Sequence, residues 1–339
     1  MLTRKSAHLT LVNSQSVHNF GKINMSLQLF STMRVVALPT KTNFRGINIR
    51  EVALFKGEYG WGEFSPFLEY GSEESAPWLM CAIEAATKPR PKFYRKSVKV
   101  NGTIPALNDP ADIERIVDSF PGVKTFKVKV GDNLSEDIAR LAKVRSLRPK
   151  AKLRIDVNGN WQVATAVTNL RSIYENIGPL EYVEQPCATI EELRNLKEKL
   201  HVNIPIAGDE VLRKAANPFT IDLNGAIDIL ALKVQPLGGI ARAHMLAEHH
   251  KLPVVISSAL ESAVGINYGL QLAASFADLD FDCGLGTGSL LSANVADLPI
   301  INGEIEITDF EPNFSAHEVA PDRFDWWKNR VMKTWEQIK

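Results

Sequence analysis

Apolar and polar positions alternate over residues 29–38 and again over 46–56, with Gly57 to Gly62 punctuating the second run as a turn. Alternation of this kind, rich in β-branched residues, predicts half-buried strands. A helical spacing follows at 77–86, so residues 25–96 read as an α+β segment. Beyond the Pro- and Lys-containing stretch 88–96 the pattern changes. Short apolar runs at 98–106, 125–130, 153–157, 182–184, 204–207, 227–234, 253–257 and 281–285 alternate with helical patterns at 134–147, 161–177, 190–200, 242–250 and 265–276. Strands alternating with helices predict βαβ units and a parallel sheet, and eight strands predict closure into a barrel. The expected fold is α/β: a TIM-type (β/α)8 barrel over 97–296 behind an N-terminal α+β capping domain. Residues 297–339 add a strand-like stretch at 303–308 and an aromatic helix. Its Trp326, Trp327 and Trp335 are expected to pack back onto the capping domain.

Barrel enzymes carry their chemistry at the C-terminal ends of the strands, so polar residues that interrupt the ends of apolar runs are the candidates. Lys127 and Lys129, Asp156 and Asn158, Glu184, Asp209 and Glu210, and Lys233 occupy such positions, at intervals of 24 to 28 residues from Lys129 onward. Each interval is one βα unit. Asp156, Glu184 and Asp209 on consecutive strands converge at one mouth, where uncompensated carboxylates repel. An oxygen-liganded hard cation is their natural partner, and one that keeps positions open for substrate points to Mg²⁺, with Mn²⁺ as a substitute. The absence of His and Cys from the set disfavours Zn²⁺. By strand alternation Glu210 points away from Asp209 and stands behind the ligands; a one-residue slip of register would make it the ligand instead.

Lys127 and Lys129 share the inward face of one strand. Mutual repulsion and burial lower the pKa of an ammonium, so one of the pair is expected to serve as a neutral amine base. Lys233 faces them across the mouth. Asn158, Ser257, Ser258 and Ser262 are candidate substrate contacts through amide, hydroxyl and backbone donors, and Arg45, in a loop of the cap, is a candidate contact to a carboxylate.

Composition narrows the partners. In 339 residues, 39 Lys and Arg balance 39 Asp and Glu, which leaves no electrostatic footprint for nucleic acid or an anionic membrane. No apolar window is long enough to span a bilayer. Three cysteines, Cys81, Cys187 and Cys283, are widely spaced and odd in number, so no disulfide framework is expected and a reducing cytoplasm is the default setting. Before Glu51 there are seven Lys and Arg and no acid. That is the charge profile of an organellar transit peptide, but no amphipathic stripe accompanies it, and residues 1–24 read as a polar, poorly ordered leader. The oligomeric state is left open, a monomer being compatible with all of this.

The set Lys127-x-Lys129, Asp156-x-Asn158, Glu184-Gln185-Pro186, Asp209-Glu210 and Lys233-x-Gln235-Pro236 resembles the enolase superfamily in its muconate-lactonizing subgroup. Within it, Gly60-Trp61-Gly62-Glu63-Phe64-Ser65-Pro66-Phe67, Val100-Asn101-Gly102-Thr103, Lys233-Val234-Gln235-Pro236-Leu237-Gly238-Gly239 and Ser257-Ser258-Ala259-Leu260-Glu261-Ser262 are similar to the o-succinylbenzoate synthase family. The resemblance implies a cap on a modified (β/α)7β barrel and a small carboxylate substrate, a succinyl-substituted hydroxycyclohexadiene carboxylate dehydrated in menaquinone biosynthesis. It further implies Mg²⁺ held by the three acids, Lys129 as the base and as the acid that helps the hydroxyl leave, and Lys233 as a stabilising cation. The same machinery serves N-succinyl amino acid racemases, muconate cycloisomerases and dipeptide epimerases. An epimerase would be expected to carry Asp-x-Asp after the last barrel strand, where this chain reads Gly284-Leu285-Gly286-Thr287-Gly288. A non-catalytic barrel used as a binding module is a further alternative, against which the full set of acids and lysines argues.

Overall fold

The computed structural model describes residues 28–44 and 46–339; the leader at 1–24 and Arg45 lie outside the described residues. Strands β1 (Arg34–Phe44), β2 (Ile47–Gly57) and β3 (Gly60–Phe64) form an antiparallel sheet in sequence order. Helix Ser72–Thr87 packs on β2 and β3. Their approach depends on missing side chains, because a Cβ at Gly57 would sit 2.3 Å from the carbonyl oxygen of Ala86, and one at Gly62 2.0 Å from that of Ala82. The glycines at 57 and 62 are therefore packing requirements, whereas Gly60 serves a positive φ of 135°.

A second sheet is wholly parallel, in the order β11 (Val254–Ser257), β10 (Ile229–Lys233), β9 (Ile206–Gly208), β8 (Tyr182–Glu184), β7 (Lys152–Asp156), β6 (Thr125–Lys129) and β5 (Gly102–Ile104). Helices Pro110–Asp118, Leu134–Leu147, Val163–Ile177, Ile190–Lys199, Glu210–Arg213, Ile240–His250 and Ala263–Ser275 follow the successive strands. Local chemistry starts several of them. The Asp109 carboxylate accepts from the amides of Ala111 and Asp112 just before Pro110, and Thr189 with Glu192 forms a reciprocal capping box.

Two expected strands take a different form. The run at 98–106 divides into β4 (Ser97–Lys99), which pairs antiparallel with β12 (Glu304–Glu306), and β5 in the barrel. The run at 281–285 contributes only two bridged residues. Cys283 pairs with Val100 and Gly284 with Ser257, the Cys283 amide donating to Lys99 and the Gly284 amide to Ile256, both at 2.7 Å. These bridges join the two edges of the parallel sheet, and so close a (β/α)7β barrel with a minimal last strand. Glycine sets its length: a Cβ at Gly284 would lie 2.7 Å from the Ser257 hydroxyl, and from Gly286 the chain curls into the 3-10 helix Gly286–Leu290.

Inside the barrel, Tyr182, Ala207, Ile229, Ala231 and Val255 cluster with Phe281, and the buried Arg154 guanidinium lies over the Tyr182 ring. This packed layer is the floor beneath the strand ends. The C-terminal helix Pro321–Trp335 places Trp327, Val331 and Trp335 in one cluster with Phe55, Phe64 and Trp78. Trp326 differs from the expectation. It stays 39% exposed because a helix points successive residues about 100° apart, and Arg323 and Arg330 stack on its ring instead. From the same helix Arg330 donates to the carbonyls of Phe67, at 2.7 Å, and Tyr70, at 3.0 Å, so the tail holds the loop that follows β3.

Candidate active site

Register brings the strand-end residues together. Lys129 is opposite Asp156 and Asp156 opposite Glu184 in adjacent strands. Lys233, at the end of β10, is opposite Ser257. Asp209 lies one residue beyond β9, at the N-terminus of the short helix that begins with Glu210.

Their side chains form an arc of alternating charge. Lys129 Nζ is 2.8 Å from Asp156 Oδ2, and Lys127 Nζ is 3.3 Å from that same oxygen and 2.6 Å from Glu184 Oε2. Lys233 Nζ lies 4.0 Å from Glu184 Oε1 and 2.5 Å from Asp209 Oδ2. Arg213 continues the arc, 3.2 Å from Asp209 and 2.7 Å from Glu210. Asn158 donates to Glu210 at 3.2 Å and accepts from Lys129, which joins the two ends. Nearly all these groups are buried, so each charge is tolerable only because a neighbour of opposite sign sits beside it.

The arc separates the lysines chemically. Burial, with Lys127 adding repulsion, holds the Lys129 ammonium below the usual lysine value against the opposing pull of Asp156. Burial acts on Lys127 in the same direction but is outweighed by Glu184 and Asp156, so Lys127 is raised; Lys233 is raised likewise by Asp209 and Glu184. Among the acids, burial raises Glu184, with Asp156 and Asp209 adding repulsion against the lysines. For Asp156 and Asp209 the neighbouring cations overcome burial and lower the carboxyl. Of the three lysines, Lys129 alone is held below its ordinary value, while Lys127 and Lys233 are held above theirs.

Lys127, Lys129, Asp156, Asn158, Lys233, Ser257 and Ser258 line a small cavity of about 30 Å³ together with Phe67, Thr103, Ala259, Gly284 and Thr287. Glu184, Asp209 and Glu210 stand just behind its wall. Ser262 does not line it: its hydroxyl donates to Glu63 and accepts from the amide of Val264 as the cap of helix Ala263–Ser275. Thr287 meets Ser258 at 2.8 Å, hydroxyl to hydroxyl. A larger cleft of about 550 Å³ lies elsewhere, between cap and barrel. Two of its three cations, Lys56 and Arg90, are paired with Glu311 and Asp309, and none of the strand-end residues reaches it.

Among the described residues no three His, Cys, Asp or Glu side chains stand close enough to enclose a metal ion; the Lys127 and Lys233 ammonium groups fill the gaps between the acids. The donor set nevertheless fits a hard divalent cation. All its atoms are carboxylate oxygens, and Glu184 Oε1 is buried without a hydrogen bond, a costly state that a cation relieves. Convergence of the three acids requires the two ammonium groups to swing aside.

The fold agrees with known proteins. Residues 112–312 match the family model described as "Enolase C-terminal domain-like" and residues 35–86 "Enolase N-terminal domain-like". The o-succinylbenzoate synthase of Mycobacterium ulcerans is 44% identical over 310 residues, 89% of this chain and 93% of that one. The chain belongs to the enolase superfamily and, within it, to the o-succinylbenzoate synthase family. Solved structures share the fold at lower identity. The muconate lactonizing enzyme of Pseudomonas putida is 19% identical with a TM-score of 0.65, over 87% of this chain and 97% of that one. The dipeptide epimerase of Enterococcus faecalis, complexed with Mg and L-Leu-L-Tyr, is 20% identical with a TM-score of 0.66, over 85% and 98%. The protein is accordingly an enzyme of this superfamily, and no helix among its described residues is long and apolar enough to cross a membrane.

Glycine- and acid-rich segments around the site have packing roles that sequence reading missed. Gln185 has a left-handed backbone (φ 43°) and accepts from the Asp209 amide at 3.0 Å and the Val211 amide at 3.2 Å, tying the end of β8 to that of β9. Arg213 falls four residues after Asp209, a helical spacing that marks it as that carboxylate's partner. Glu261 is buried beside Glu63, and burial with that repulsion pushes its carboxyl up to about 7, against the Ala259 amide and Arg50. The folded state therefore takes up a proton that the unfolded chain, with an ordinary glutamate value, has released, and stability falls as pH rises through 7. Urea melts should show this. Glu261→Gln is expected to flatten stability between about pH 5 and pH 8 and to gain up to about 3 kcal/mol at pH 8; parallel curves for variant and wild type would remove the assignment.

Proposed function

We propose that the protein is an o-succinylbenzoate synthase that dehydrates a succinyl-substituted hydroxycyclohexadiene carboxylate to the aromatic product, as a cytoplasmic step of menaquinone biosynthesis. The observation that carries this reading is that Lys129 and Lys233 line one small cavity beside the three acids, with Lys129 shifted below the ordinary lysine value and Lys233 above it. Family membership supplies the substrate class.

In this reading Asp156, Glu184 and Asp209 would hold one Mg²⁺, for which Mn²⁺ can substitute. When bound, the ion supplies Lewis-acid polarisation of the substrate carboxylate. Lys129 removes the proton α to that carboxylate, and the electron pair moves into the carboxylate to give an ene-diolate. Lys233 contributes positive charge as that anion develops. Lys127, held as an ammonium, helps to lower the proton affinity of Lys129, which favours its free-amine form. Collapse of the ene-diolate expels the ring hydroxyl, which leaves as water with the proton returned by Lys129. Ser257, Ser258 and Asn158 offer hydroxyl and amide groups to the distal succinyl carboxylate, Arg45 remains a candidate for the same role, and Phe67 of the cap covers the ring. Glu210 positions the acids from behind through Asn158 and Arg213.

A second reading has its own support. Lys129 and Lys233 come from strands on different sides of the cavity, the placement that proton transfer on both faces of an α-carbon needs, as in N-succinyl amino acid racemisation. Incubation with Mg²⁺ and either substrate in deuterated water separates the two. Efficient dehydration with negligible inversion of N-succinyl amino acids is expected; fast inversion with deuterium incorporation and poor dehydration would promote the racemase.

A further inference from the structure

The cap is joined to the barrel by two carboxylates, each placed at the N-terminus of a barrel helix. Glu84 of helix Ser72–Thr87 accepts from the Ile240 amide and, at 2.7 Å, from the Tyr268 hydroxyl. The turn before that helix admits it because Gly239 has no side chain: a Cβ there would lie 2.4 Å from Glu84 Oε1. Glu63 of β3 serves the other helix, Ala263–Ser275. It accepts from the Ser262 amide at 3.3 Å, the Ser262 hydroxyl at 2.5 Å and the Gly265 amide at 2.9 Å. A negative charge at a helix start is favoured by the unpaired amides and the dipole.

The two joints differ in what lies beyond them. Glu63 also accepts from Ser65 at 2.6 Å and from Gln235 Nε2 at 3.2 Å. Gln235 is two residues from Lys233, and its Oε1 in turn accepts from the amide and the hydroxyl of Ser65, each at 3.3 Å. Gly265 leaves room for this amide, since a Cβ there would lie 2.7 Å from Gln235 Nε2. Ser262 ends the segment whose Ser257, Ser258 and Ala259 line the cavity. Glu63 is 3% exposed, and five neutral donors hold it. Glu84 makes no such connection to the mouth.

We infer that Glu63 is a positioning residue that carries cap docking to the reacting centre, setting Lys233 through Gln235 and the serine wall through Ser262, whereas Glu84 docks the cap only. This rests on the reading of Lys233 given above.

The test compares Glu63→Gln, Glu84→Gln and Gln235→Met in the full chain with Mg²⁺. Replacing a charged acceptor that serves several buried donors leaves some of them unpaired, so Glu63→Gln is expected to lower kcat by about 10-fold or more while Mg²⁺ affinity by calorimetry stays within about 2-fold. Glu84→Gln is expected to lower the melting temperature comparably and to leave kcat within about 2-fold. Because Glu63 acts through Gln235, the double variant Glu63→Gln/Gln235→Met should be no slower than the slower single variant, where independent effects would multiply. Should Glu63→Gln fail to fold, Glu63→Asp takes its place. Equal losses of kcat in the Glu63 and Glu84 variants at equal loss of stability, or multiplicative effects in the double variant, would overturn the inference. Amide exchange separates this from failure of the synthase reading, since it needs no turnover. Loss of protection at 233–238 and 258–266 in Glu63→Gln, absent in Glu84→Gln, is expected even if the wild type acts on another substrate, and unchanged protection there would count against the inference.

Discussion

Lys129→Ala is expected to abolish measurable dehydration, a loss of at least about 10³-fold in kcat, since a placed general base contributes roughly 10² to 10⁴ and here it serves both proton removal and hydroxide departure. The fold should survive. Asp156 keeps Lys127 at 3.3 Å as a counter-ion, so no buried carboxylate is stranded, the condition under which breaking an ion pair costs most. Circular dichroism and Mg²⁺ calorimetry should therefore match the wild type. In the wild type the rate should rise with pH through the Lys129 ionisation, below the usual lysine range, because burial and Lys127 hold it down. Lys127→Ala removes one of those two influences, and the rising limb should move to higher pH. Substantial activity in Lys129→Ala, or an unmoved limb in Lys127→Ala, would reassign the base.

Chelation is expected to reduce turnover to background and Mg²⁺ to restore it. Asp209→Asn should weaken Mg²⁺ binding by at least about 100-fold, since even residues outside the ligand set typically cost 10- to 100-fold. Calorimetry of the wild type with no divalent-ion binding would remove the metal from the mechanism. Full affinity in Asp209→Asn with loss in Glu210→Gln would instead move the ligand by one residue, to the carboxylate whose Oε2 is buried without a hydrogen bond.

Most of the architecture was legible along the chain because its signals are local. A parallel strand buried on both faces is a short apolar run, and a polar residue at its end interrupts that run whatever the rest of the molecule does. Lys127, Lys129, Asp156, Glu184, Asp209 and Lys233 were found in this way, and their spacing of one βα unit predicted that they share a mouth. The seven full strands and most of the helices follow from the same periodicity. The last strand did not, because its brevity comes from contact with Ser257 and from the glycines after it rather than from any break in the apolar pattern.

What the amino-acid sequence determined by itself was the alternation of elements, the identity of the strand-end side chains and, through the motifs around them, a resemblance to the family. Tertiary structure alone decided which serines face the cavity: Ser257 and Ser258 do, while Ser262 turns to Glu63, a residue 199 positions away. It likewise decided that Trp326 stays outside the cap cluster and that Phe67, Thr103 and Thr287 complete the wall. It also decided that Lys129 is shifted down and Lys127 and Lys233 up, since all three are buried and only the balance of neighbouring carboxylates and of Lys127 repulsion separates them.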